Sequence, residues 1–243
     1  MFTLKYCLFI VVVMIAMFIQ SLVGFGGNPI AMPLGIILVG VGLAKPVMTI
    51  LACIIGIFIA VRERKHINCR ELAIMCGVML VGVALGLWVF KSVELNYLLI
   101  AYAVIVIAIG VRNLVFPSKK DAPAAVQFAA LGIAGLIQGL FVSGGSFLAV
   151  YSVAKLKDKQ EFRATSNAVW GILNTVMIVT YIFDGTLTSD VALTSAICLV
   201  PTVITAILAG KLCRKINKQV FLKLAYVTIM LSGLVLLVSS LTK

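Results

Sequence analysis

The chain has 243 residues, 63% of them hydrophobic and 12% charged, and a mean hydropathy of +1.20. Soluble domains are nearer half apolar and a quarter charged, so this composition excludes a soluble domain of any size and predicts an all-α polytopic membrane protein. The formal net charge is +12, but the basic residues lie in short loops between apolar runs, which fits cytoplasmic membrane loops and argues against nucleic acid as a partner.

The first apolar segment covers residues 4–23, long enough to span a bilayer. It is longer than the hydrophobic core of a leader peptide and no small-x-small cleavage site follows, so it is read as a helix that stays. The stretch Gly24-Phe25-Gly26-Gly27-Asn28-Pro29 then breaks the run. Asn28 suits an N-cap and Pro29 the first position of a new helix. Segment two, residues 29–41, is about 20 Å long at 1.5 Å per residue, too short for a hydrocarbon core of about 30 Å. Segment three is 46–61. The basic loop 62–70 follows, with the lone His66 among Arg62, Arg64 and Lys65. Segment four is 71–90 and contains Gly82-x-x-x-Gly86, a spacing that permits close helix contact. Segment five is 95–115.

Residues 116–123, with Pro117, Lys119, Lys120, Asp121 and Pro123, read as a linker between two halves. Segment six is 124–142. Segment seven, 146–156, is again short, about 16 Å. A charged loop, 157–163, leads to segment eight, 164–183. The loop 184–190 has no Lys or Arg. Segment nine is 191–210, and segment ten is 221–241.

The glycine break recurs. Residues 19–31 and 137–149 share Ile, Gln, Leu, Gly, Gly and Ala at an offset of 118. Ala206-x-x-x-Gly210 echoes Gly82-x-x-x-Gly86, and Ala225-Tyr226 echoes Ala101-Tyr102, at 124. Interrupted helices at matching places of two halves point to a transporter site near the bilayer midplane. The expected architecture is two five-segment repeats, residues 1–115 and 124–243. An odd number of segments inverts the second repeat. Placing loop 62–70 in the cytoplasm puts 16 of the 20 Lys and Arg residues on that side, and both termini outside.

At this point the chain resembles the TauE/SafE family of sulfite-exporter-like anion permeases, over nearly its whole length. The resemblance rests on Gly24-Phe25-Gly26-Gly27 with Pro33 downstream and on Ser143-Gly144-Gly145-Ser146. It is reinforced by Phe162-Arg163-Ala164-Thr165-Ser166-Asn167 and by Lys65-His66-Ile67-Asn68-Cys69-Arg70. Two positions depart from the pattern: Asn28 stands where a third glycine is common, and Tyr151 where proline often stands. The resemblance implies secondary transport of small anions, such as sulfur oxyanions, organosulfonates or carboxylates, in the cell membrane.

An anion held by backbone N–H groups at a half-helix N-terminus avoids the cost of a charged side chain at the bilayer centre. The expected site is therefore the backbone of Gly26, Gly27, Asn28, Gly144, Gly145 and Ser146. Side-chain help is expected from Gln20, Gln138, Ser143 and Asn167. Thr49, Ser166 and Asn174 lie nearby, with interhelical hydrogen bonding as their competing role. Lys45 and Arg163, equivalent at the 118 offset, read as interfacial anchors rather than ligands.

The six cysteines form no Cys-x-x-Cys pair, and most lie in apolar runs. No metal or cofactor is expected. One His and eight acids at segment ends do not make a catalytic cluster, so an enzyme is not expected either. An anion channel and a non-transporting structural membrane protein stay open as alternatives. The coupling ion and the oligomeric state are unassigned.

Overall fold

The computed structural model describes residues 4–115, 123–156 and 158–212, with Leu234 and Leu237. Among these it is all-helical: α1 (Leu4–Val23), α2 (Gly27–Val39), α3 (Val41–Arg62), α4 (Cys69–Ser92), α5 (Leu95–Val115), α6 (Ala124–Phe141), α7 (Gly145–Lys155), α8 (Lys159–Phe183) and α9 (Ser189–Leu212). Six of these helices are long and apolar enough to cross a membrane. The expected tenth segment apart from Leu234 and Leu237, and the linker up to residue 122, lie outside the described residues.

Helices one and five have the expected bounds. Six others, α2, α3, α4, α7, α8 and α9, start one to five residues earlier than the sequence suggested, and for α3, α4 and α8 the local reason is plain. Gly40, at φ 79°, turns the chain out of α2, and its carbonyl accepts from Ala44 N at 3.0 Å. This starts α3 at Val41, with Pro46 in its second turn. Asn68 caps α4 by accepting from Glu71 N at 3.1 Å. Asp158 accepts from Gln160 N at 2.8 Å and Glu161 N at 3.0 Å. The expected loop 157–163 is therefore the first turn of α8 from Lys159 onward, and Arg163 is a helix residue. An Asp followed three residues later by Glu is a helix-start signal that the charged composition masked.

Large apolar side chains face outward along the spans. Leu8, Ile57, Val81, Trp88 and Ile204 are all exposed, as a lipid-facing surface requires. The interior is held by close backbone contacts, since lipid offers no hydrophobic force between helices. A Cβ at Gly82 would meet the carbonyl of Gly132 and the backbone around Leu136, and one at Gly86 would strike the Leu136 carbonyl. Gly135 and Gly139 on α6 press equally hard against Met79 and Val83 of α4. The anticipated Gly82-x-x-x-Gly86 face is thus a packing face, met by a second such pair. At the centre, α3 crosses α8 with Gly56 against the backbone of Asn167 and Gly171. Besides these, α1 packs on α2, α9 and α3, α6 on α7, α4 on α8, and α9 on α3.

Two ion pairs orient the helices. The Arg163 guanidinium in the first turns of α8 binds Glu63, just after α3. At the other end, Lys91 near the end of α4 binds Asp184, just after α8, at 2.7 Å. So α3 and α8 run antiparallel, and α4 and α8 end on the same side.

Candidate functional site

Between the two half-helices lies a small cavity of about 10 Å³, room for about one water molecule. Its walls come from both breaks and from α1, α3, α6 and α8: Gln20, Phe25, Gly26, Asn28, Pro29, Ala52, Gln138, Val142, Gly145, Trp170 and Asn174. Among the described residues no lining side chain carries a formal charge.

The chain reaches the cavity by two unusual turns. Gly24 and Gly26 take φ of 94° and 93°, a region that side chains other than Asn and Asp rarely adopt. Gly24 O accepts from Trp170 Nε1 at 2.8 Å, which anchors the first break to α8. In the second break the position equivalent to Gly24 is Val142, at φ 56°. A β-branched residue in that region is strained and needs surrounding structure to hold it. Val142 is 1% exposed, and the Gln138 carbonyl accepts from its N–H at 2.8 Å.

The expected caps are not made. Gly26 and Gly144 occupy the N-cap positions, and neither helix start has a side-chain cap. Asn28 and Ser146 are the second residues of α2 and α7. Their backbones are already helical, so their side chains cannot fold back onto the first-turn amides as a cap does. Among the described residues those amides have no side-chain cap, and Asn28 Oδ1 and Ser146 Oγ are buried without a hydrogen bond.

Five of the ten expected site residues line the cavity: Gln20, Gly26, Asn28, Gln138 and Gly145. The two breaks touch there. A Cβ on Gly145 would lie 3.3 Å from Gly26 N and 3.1 Å from Phe25 Cβ. The other five sit behind the wall. A Cβ on Gly27 would strike the Ala16 carbonyl, and one on Gly144 the Ala134 carbonyl, so both glycines pack a half-helix onto its neighbour. Ser143 accepts from the Tyr102 hydroxyl at 2.7 Å and donates to Phe141 O at 2.9 Å. Ser146 is buried beside the wall. Asn167 donates to Arg163 O at 2.8 Å, with its Oδ1 unpartnered.

Asn174 and Trp170 are the main additions. Asn174 Oδ1 accepts from Gln138 Nε2 at 2.8 Å, and Gln138 Oε1 accepts from Gly144 N at 3.2 Å. This relay fixes Gln138 and leaves Asn174 Nδ2 as a buried donor without a partner. Polarity alone could not separate Asn174 from ordinary interhelical glue. Trp170 had no signal at all, because its equivalent in the first half is Ala52.

The model of the sulfite exporter TauE/SafE family matches residues 8–236. The chain belongs to the TauE/SafE family. With six described helices long and apolar enough to cross a membrane, this TauE/SafE protein is a multi-pass membrane transport protein. No curated protein and no solved structure matches it. Two motifs that carried the resemblance meet in the TauE/SafE fold. Asn68 N donates to Thr165 Oγ1 at 3.0 Å, and Asn68 Nδ2 to Glu161 Oε1 at 2.7 Å. Tyr151, the departure from proline, donates its hydroxyl to Glu71 Oε2 at 2.7 Å on the same side.

Proposed function

We propose that this chain is a secondary transporter of small sulfur-containing or organic anions, such as sulfite or sulfonates, held between the N-termini of α2 and α7. One observation carries the reading. Two half-helix starts, both without side-chain caps, abut at a small cavity lined, among the described residues, by Asn and Gln amides and by no formal charge. Helix N-termini attract anions through free N–H groups and a partial positive charge of about half a unit. The Asn174 amide adds a buried donor that has no partner among the described residues. A space for about one water is too small for a sulfur oxyanion. Loading therefore requires the half-helices to part, which suits a carrier better than an open pore.

Residues 1–115 and 124–243, joined by 116–123, are proposed as inverted repeats. Exchanging α1 with α6, α2 with α7, α3 with α8 and α4 with α9 turns each major helix contact into another that is also made. The antiparallel run of α3 and α8 supports the inversion. The basic excess supports a cytoplasmic loop 62–70 in the cell membrane, with both termini outside. Single cysteines placed in loops 62–70 and 184–190 check this. An impermeant thiol reagent added outside should label only the second; labelling of the first reverses the orientation.

The function is tested by flux of sulfite, thiosulfate, a sulfonate and a small carboxylate into proteoliposomes. Saturable uptake with counterflow is expected for at least one of them. Asn174→Leu should weaken it by about tenfold to 100-fold, the effect of losing a buried donor and stranding Gln138. Non-saturating flux without counterflow would identify a channel. No flux of any anion would leave a structural role.

A further inference from the structure

Lys45 and Arg163 hold equivalent places in the two halves, yet their surroundings differ. Both are buried, at 4% and 8% exposure. Arg163 is neutralised by Glu63 and donates from Nε to Ser21 O at 2.7 Å. Among the described residues the Lys45 ammonium has no ion pair and no hydrogen bond. Its contact is the face of Phe90, with Nζ 3.4 Å from the ring centroid.

Seven of the eight acids belong to the described residues, Asp121 lying outside them, and none of the seven pairs with Lys45. Glu63 and Asp184 pair with Arg163 and Lys91, Glu71 and Glu161 accept from Tyr151 and Asn68, and Asp158 caps α8. Glu94 and Asp190 do not pair with Lys45. Residues 213–243 contain no Asp or Glu, so that stretch holds no side-chain carboxylate to neutralise it.

A buried cation is costly unless something compensates it, and one ring face returns only part of that cost. An arriving anion would return more of it. The position suits that role. Lys45 lies seven residues before Ala52 on α3, about 10 Å along the helix from the cavity wall. Phe90 meets Phe141 edge-on at 6.2 Å, and Phe141 stacks on Tyr102 at 4.2 Å. Tyr102 in turn holds Ser143 in the second break. The ammonium thus sits in one packed cluster with the start of α7.

We propose that Lys45 is the cationic residue of a second, vestibule subsite. The anion would occupy it between the central cavity and the side of the membrane that carries Lys91 and Asp184. This rests on the transport reading above, and it makes the two vestibules chemically unequal. The Arg163 side is closed by an internal ion pair, while the Lys45 side offers a cation with no ion-pair partner among the described residues.

The test uses sulfite as probe, with wild type, Lys45→Gln and Lys45→Arg. Uptake kinetics are measured in proteoliposomes and melting temperature in detergent, with and without sulfite. Lys45→Gln should raise KM by about tenfold with turnover kept within about twofold, the loss of one contact to a charged group. Lys45→Arg should restore most of the affinity. Sulfite should raise the melting temperature of wild type more than that of Lys45→Gln. An unchanged KM in Lys45→Gln overturns the subsite. So does a lower melting temperature with KM intact, since that marks a packing role. Wild type that neither moves sulfite nor is stabilised by it overturns both this proposal and, for sulfite, the transport reading. Wild-type transport with an unaltered Lys45→Gln overturns the subsite alone.

Discussion

Gly145→Leu will abolish anion uptake while the protein still folds. Even a methyl group at this position lies 3.1 Å from Phe25 Cβ, 3.3 Å from Gly26 N and 3.6 Å from Trp170 Cζ2. Those contacts are tight but not impossible, so Gly145→Ala fits after a shift of a few tenths of an ångström. Overpacking of this kind costs about 1–3 kcal/mol of stability. The longer leucine side chain must occupy the space between the two half-helix starts, where the anion is proposed to sit. Gly144→Ala is the control. Its methyl group would drive into the Ala134 carbonyl of α6, backbone that cannot swing aside. It should lower the melting temperature and the folded yield. Uptake per folded molecule, measured beside melting temperature, separates the two. If Gly145→Leu folds normally and transports with unchanged affinity, the anion does not bind between the half-helices.

Arg163→Met will cost stability, by about 3–5 kcal/mol, because it strands a partner in a poorly solvated place. Glu63 keeps 23% of its side-chain surface exposed, so the lower end of that range is expected. The same change removes the donor to Ser21 O, which ties the end of α1 to α8. The double variant Glu63→Gln with Arg163→Met should recover part of the loss, since the stranded charge is gone; additive losses would show that the pair is not coupled. Arg163→Lys should rescue poorly, because one ammonium cannot reproduce the two directed contacts of the guanidinium. Thermal unfolding in detergent reads all of these effects.

Much of the molecule was legible before any coordinates. Apolar run length marks spanning helices because the bilayer tolerates no unpaired backbone, and α1 and α5 matched residue for residue. The two short segments were legible for the same reason: 13 and 11 residues cannot cross. Helix starts were less so. Asn28 and Ser146 looked like caps because capping chemistry is local. Gly26, in a left-handed conformation, let the helix begin before Asn28 could cap it.

By itself, the sequence determined the membrane class, the family, the two breaks and the residue pairs that match across the halves. These depend on composition and spacing along one chain. Only the tertiary structure decided which glycine does what. Gly145 faces the other break, while Gly144 and Gly27 face carbonyls of neighbouring helices, and residues adjacent in sequence point to opposite sides of a helix start. It also decided that Asn174 and Trp170 reach the cavity, and that among the described residues Arg163 is paired while Lys45 is not. Each of these depends on how distant helices cross. Repeat symmetry cannot supply that information where the halves differ, as Ala52 does from Trp170 and Gly56 from Asn174.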